Sequence, residues 1–250
     1  MVSRELRPAV AALLVGSVLA GCARGGAAPA TVTVSAAASL GGAFAALELA
    51  FEAAHPGLDV ALNLAGSSVL REQILGGAPV DVFAAADERN LDPLVEAGAV
   101  AGAPRVFARN RLQIAVPAGN PAAVRGLADF ARAELWIGLC AAEAPCGAYA
   151  ERALAAAAVV PSVDTREPNA RALAARIGAG ELDAGIVYAT DVGPAGAEGI
   201  VIPEDRNVVA VYPIAVLAAA PNPGGAAAFV EFVLSDAGRA VMTDHGFSVP

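Results

Sequence analysis

Residues 32–47 read VTVSAAASLGGAFAAL and pass from a strand to a helix through a run of small residues. Val32, Val34 and the alanines after them make a buried strand. Phe44, Leu47 and Phe51 recur at spacings of three and four, which puts them on one face of a helix. Ser39 falls where the strand gives way to the helix. If that junction recurs along the chain, it decides the fold.

It does recur. Residues 58–64 alternate apolar and polar, then Ala65-Gly66-Ser67-Ser68 leads into a helix through Leu70, Ile74 and Leu75. VDVFA (80–84) is a strand followed by Ala85-Ala86-Asp87 and a helix through Leu91, Leu94 and Val95. Further strands are expected at 111–116, 135–139 and 185–188, with an extended pair of segments on either side of Pro213. Helices are expected at 147–158, at 169–177 after the turn Glu167-Pro168, and at 226–234 and 236–244. Strands alternating with helices of this length mean an α/β fold with mixed, mostly parallel sheets. Ligands of such folds bind beyond the carboxyl ends of the strands, where helices begin. The unpaired N–H groups and partial positive charge there suit an anion. Taken singly, Ser39 and Ser67 read first as N-caps, and Tyr188 as a core tyrosine with a satisfied hydroxyl.

Composition narrows the class. The chain has 250 residues, 56% hydrophobic and 16% charged, with a net charge of −9. It fills a core, and its basic residues, all arginine, form no patch for nucleic acid. Arg4 and Arg7 precede an apolar run over 8–20, too short to span a bilayer. That run ends in Leu19-Ala20-Gly21-Cys22, which resembles the lipobox of bacterial lipoproteins and implies a leader over 1–22 and a lipid on Cys22. Residues 23–30 then form a flexible tether, and the protein works outside the cytoplasmic membrane. Cys140 and Cys146 remain; in an oxidising compartment a disulfide across a small loop is the default. A metal site or a nucleophilic cysteine would want histidine nearby, and His55 and His245 are remote in sequence. Free thiols on a surface loop stay open as an alternative.

The order of the junctions carries more than any one of them. AAASL (36–40), AGSSVLREQI (65–74), GAPVDVFAAAD (77–87), PCGAYAERAL (145–154) and GIVYATD (185–191) follow one another as they do in the periplasmic molybdate-binding proteins. The chain resembles that family over nearly all of residues 31–247, up to the closing HGF. The resemblance implies a two-lobed, type II periplasmic-binding-protein fold with a hinge and a ligand cleft between the lobes. Lobe one would comprise about 31–108 plus 215–250, and lobe two about 109–214. It implies hydroxyl and N–H contacts to the oxyanion from Ser39 and Ser67, backbone N–H contacts from Cys146 and Ala170, and a hydroxyl contact from Tyr188. It further implies no cofactor and no catalysis, a monomer, and a membrane permease and an ATPase of an ABC transporter as partners. The sequence departs from the family at Gly66, where a third hydroxyl is usual, and at Cys146, where a small uncharged residue is expected.

The chemistry agrees with the resemblance. Molybdate at neutral pH is a fully deprotonated dianion, so it only accepts hydrogen bonds, and tungstate is nearly its twin. A pocket of donors without a carboxylate suits both and refuses a protonated oxyanion. Sulfate or phosphate is the rival ligand class. A ferric-ion carrier would want paired tyrosines and carboxylates, whereas Tyr149, Tyr188 and Tyr212 are dispersed along the chain. An extracellular hydrolase would want Gly-x-Ser-x-Gly, which is absent from the sequence.

Overall fold

The computed structural model describes residues 30–250. The leader 1–22 with Cys22, and the tether as far as residue 29, lie outside the described residues. Ala30, at the tether's end, already pairs with Leu58.

β1 (Ala30–Ala37) runs parallel to β2 (Leu58–Ala65) on one side and to β3 (Val82–Ala84) on the other. Helices cover both faces of this group. Phe44 and Phe51 of α1 (Gly41–Ala54) meet Phe229 of α7 (Pro223–Leu234) edge-on at one face. Leu70 and Ile74 of α2 (Ser67–Leu75) and Leu94 of α3 (Asp92–Glu96) pack with Phe83 at the other. α1 stops at His55 because the residue before Pro56 is driven out of helical geometry.

A second group has the same logic. β5 (Ile137–Cys140) lies parallel to β6 (Thr165–Glu167) and β7 (Ala184–Tyr188). It is flanked by α4 (Pro145–Ala156), α5 (Ala170–Gly178) and the short α6 (Ala189–Val192). Two long antiparallel strands join the groups, β4 (Arg105–Val116) and β9 (Val209–Val216). β4 pairs with β9 over 105–111, then exchanges that partner for β7 and β8 (Glu198–Val201) over 112–116. The strand order is β2-β1-β3-β9-β4-β7-β5-β6, with β8 on β4. α8 (Asp236–Asp244) closes the chain against α7 and α1. Among the described residues no helix is long and apolar enough to cross a membrane.

The strands differ from the sequence expectation in three ways. β4 begins at Arg105 rather than 111, and β9 runs unbroken through Pro213. Proline lacks the N–H that a ladder uses, so it normally interrupts a central strand. Here β4 shifts register between Val106 and Ala108, opposite Pro213, and the Pro213 carbonyl accepts the N–H of Ala85. β6 and β8 were not expected; both are short, and TRE and EGIV carry no alternating pattern.

A disulfide joins Cys140, at the end of β5, to Cys146 in the first turn of α4. The loop it closes folds tightly onto that turn. A Cβ at Gly147 would stand 2.0 Å from the carbonyl oxygen of Ala141, so only glycine fits.

Candidate anion-binding site

Five chain segments end at one small cavity between the two strand groups. They are the 3-10 turn after β1 (Ala38–Leu40), the starts of α2, α4 and α5, and the end of β7. Ser39, Ser67, Cys146, Ala170 and Tyr188 all line it. Its free space is about 10 Å³, the room of about one water-sized sphere. Pockets for organic ligands run to about 300 Å³ and more, so the cavity as it stands is too small for one.

Neither serine caps a helix. Ser39 lies inside the 3-10 turn, α1 starts on Leu40, and the Ser39 Oγ is 3.3 Å from the Tyr212 hydroxyl. Ser67 is the first residue of α2, because Gly66 takes the extended conformation of the cap. The Ser67 Oγ accepts the N–H of Ala86 at 3.0 Å, which leaves its own hydrogen free. α4 starts on Ala144, which offers no side-chain oxygen. Pro145 follows with no N–H, so Cys146 supplies the helix's first donor. At α5 the Asn169 side chain accepts from the N–H of Ala172 at 2.9 Å, two residues beyond Ala170.

Tyr188 is fully buried and its hydroxyl has no partner, an uncommon state for a buried polar atom. Burial pushes its pKa well up, so the phenol is neutral and keeps its hydrogen. The set is therefore hydroxyls and N–H groups with no carboxylate among the lining residues.

A larger cavity, about 700 Å³, lies against the same Ser39 and is lined by Arg171, Thr190, Asp191, Asp244 and His245 among others. It is the more obvious hollow and the poorer anion site, because it carries two carboxylates. Burial raises the Asp191 pKa to about 7, and its Oδ2 has no partner.

The three tyrosines, dispersed in sequence, gather in space, with ring centroids 5.7 Å apart for Tyr188–Tyr212 and 6.5 Å for Tyr149–Tyr188. They do not form a ferric site. The Tyr149 hydroxyl accepts from the N–H of Val211 at 3.4 Å, and burial raises its pKa to about 12. Burial raises the Tyr212 pKa as well. Among the described residues no cluster of three or more His, Cys, Asp or Glu is placed to hold a metal.

Sequence reasoning missed Asn169, Ala86 and Tyr212 as residues that build the site. Asn169 had a signal: asparagine just before a helical stretch marks an N-cap. The other two had none.

The fold and this donor-lined cleft define an extracytoplasmic solute-binding protein, a transport component rather than an enzyme. The chain belongs to the bacterial extracellular solute-binding proteins, whose family model matches residues 32–248. More particularly, it is 36% identical over 222 residues to the molybdate-binding protein ModA of Mycobacterium tuberculosis strain H37Rv, covering 88% of this chain and 85% of that one. It is also similar to the solved substrate-binding domain of a putative molybdenum ABC transporter from Clostridium difficile. That likeness has a TM-score of 0.67 at 25% identity and covers 88% of this chain and 99% of the other. The periplasmic molybdate-binding protein of Azotobacter vinelandii shares the fold, with a TM-score of 0.75 at 19% identity and coverage of 88% and 99%.

Proposed function

We propose that the protein captures molybdate, and also tungstate, in the small cavity and delivers it to an ABC transporter. The observation that carries this is a small cavity lined by neutral donors, with a buried Tyr188 hydroxyl that has no protein partner. A tetrahedral dianion supplies the acceptors that such a set lacks. Each hydrogen bond to a charged oxygen contributes about 1.5–3 kcal/mol, and several together offset desolvation without any arginine or lysine.

Ser39 and Ser67 would hold the ion from lobe one, about 31–108 plus 215–250. Cys146, Ala170 and Tyr188 would hold it from lobe two, about 109–214. The hinge falls where β4 exchanges β9 for β7 and β8. The disulfide stiffens the loop that presents the Cys146 N–H. The chain acts as a monomer without a cofactor, held to the membrane by a lipid on Cys22, and its closed form is what the permease and ATPase complex reads.

Thermal unfolding of residues 23–250 with molybdate, tungstate, sulfate or phosphate tests this. A ligand at a hundred times its dissociation constant stabilises by about 2.7 kcal/mol. For a chain of this size that is a rise in Tm of roughly 5–11 °C. The rise is expected with molybdate and tungstate, and Ser39→Ala and Tyr188→Phe should each reduce it. No shift with any of the four ions would refute the reading.

A further inference from the structure

We propose that Arg171, at the start of α5, is the clasp that fastens the two lobes over a bound ion, with its guanidinium seated on the backbone of Gly41 across the cleft. This rests on the two-lobed oxyanion reading above and adds to it a residue that sets how long the ion stays. Arg171 does not line the small cavity, so it is a positioning residue.

The seat is visible at Gly41, the first residue of α1. Its backbone angles, φ −53° and ψ −43°, are ordinary helical values that any residue adopts, so the backbone does not ask for glycine there. Space does. A Cβ at position 41 would stand 2.5 Å from the Arg171 Nη1 and 3.3 Å from the Leu64 Cδ1. A Cβ at Gly42, next along the same helix, would meet nothing nearer than the His245 Nδ1 at 3.5 Å. Gly66 repeats the close approach one helix further on, where a Cβ would stand 2.9 Å from the Pro168 carbonyl oxygen. Two helix starts in lobe one thus receive one short segment of lobe two, 168–171, in the gaps that missing side chains leave.

The position of this contact gives it leverage. Arg171 follows Ala170, and Gly41 lies two residues beyond Ser39, so the seat ties together the neighbours of one proposed donor from each lobe. Its electrostatics are incomplete without an anion. The guanidinium belongs to the first turn of α5 and stands against the first residue of α1, and both helix N-termini carry partial positive charge. Asp191 and Asp244 line the larger cavity with Arg171. Even so, among the described residues no ion pair holds Arg171. A dianion held by Ser39 and Ala170 supplies the missing negative charge. The clasp closes when the ion is in place and loosens when it leaves.

Arg171→Gln and Gly41→Ala test the clasp from its two sides, with Gly42→Ala as the control. Alanine suits a helix at least as well as glycine, so the ligand-free melting temperatures of both alanine variants should hold or rise. Molybdate affinity, measured by calorimetry on the whole mature chain, should fall roughly tenfold in Arg171→Gln and in Gly41→Ala, and stay within about twofold in Gly42→Ala. In stopped-flow mixing the loss should appear in the dissociation rate, with the association rate unchanged. A loss carried by the association rate would make Arg171 a steering charge and overturn the clasp.

The double variant decides the pairing. Once the guanidinium is gone the seat is empty, so Gly41→Ala should add less than about twofold to the loss in Arg171→Gln. Equal losses in both backgrounds would mean that Gly41 serves α1 or Leu64 and would overturn the proposal. Full affinity in Arg171→Gln would overturn it too, and that variant alters an exposed residue, so it stands as a test if Gly41→Ala does not fold. A wild-type chain that binds no molybdate would overturn the functional reading itself. A binding wild type with flat variants overturns only the clasp.

Discussion

Helices in this protein begin in two ways. Away from the cavity, α7 and α8 are each closed by a side chain of their own. Asn222 accepts from the N–H of Gly225 at the start of α7, and Ser235 accepts from the N–H of Gly238 at the start of α8. At the cavity, α2 and α4 begin on Gly66 and Ala144, neither of which has a side-chain oxygen. Buried N–H groups are almost always paired, so the difference says where the missing acceptor must come from. The outer helices are finished by the chain. On the proposed reading α2 and α4 would be finished by the bound ion, and its binding would then be coupled to closing the lobes, while α5 at the same cavity keeps its own Asn169 cap.

The strongest way to break this comparison is to give α2 its own cap. Gly66→Asp places a carboxylate where the ion's oxygens would lie, and its Cβ would stand 2.9 Å from the Pro168 carbonyl oxygen across the cleft. Molybdate affinity should fall by at least about a thousandfold, roughly 4 kcal/mol. The cap exchange itself is worth only a few tenths of a kcal/mol, so any larger loss of ligand-free stability would report the contact with the Pro168 carbonyl. Calorimetry and a ligand-free melt check both halves. Affinity within about tenfold of wild type would mean that the inner helix starts do not depend on the ligand.

α6 is the intermediate case, and it is sensitive to pH. It starts on Tyr188 without a side-chain cap, and Asp191 in its first turn is buried with an Oδ2 that has no partner. Burial raises the Asp191 pKa from 3.8 to about 7, with Arg171 opposing the rise. The folded chain therefore binds the proton more tightly than the unfolded one. The stability this confers is whole below pH 4 and is lost as pH rises through 7. Asp191→Asn mimics the protonated form and should be the more stable chain at pH 8, by as much as ~4 kcal/mol, with the gap closing toward pH 4. Melts of the two proteins across that range measure it. Parallel curves would show that Asp191 stays ionised and partnered.

These contrasts also show what was legible beforehand. The repeated passage from buried strand through small residues to helix was plain at AAASL and at AGSS, so the α/β class followed from pattern alone. Ser39, Ser67 and Tyr188 were visible as polar groups at those passages. Their roles were not, because a cap is decided by backbone angles. Gly66 adopts φ −61° and ψ 138° and takes the cap position, which draws Ser67 into the helix and frees its hydroxyl. Tyr212 was silent, since its hydroxyl comes within 3.3 Å of the Ser39 Oγ from a strand 173 residues further along the chain. Pro213 misled outright: proline signals a break, and here the register shift in the facing strand absorbs it.

The smallest effect is the one that makes the comparison two-sided. Ser235 caps α8 and also donates its hydroxyl to the Phe232 carbonyl at 2.6 Å, far from any residue that lines the small cavity. Ser235→Ala leaves the N–H of Gly238 without its acceptor and should cost about 0.5–2 kcal/mol of stability. That lowers Tm by roughly 1–8 °C. The dissociation constant for molybdate should stay within about twofold, because nothing at α8 is completed by the ligand. Tyr188→Phe should do the reverse, removing a buried hydroxyl that has no partner, so that the ligand-free protein holds its stability or gains some while affinity falls. Opposite signs in the two variants would separate a helix start that serves the fold from a strand end that serves the ligand. If both variants moved stability and affinity together, the division between inner and outer helix starts would have no energetic meaning.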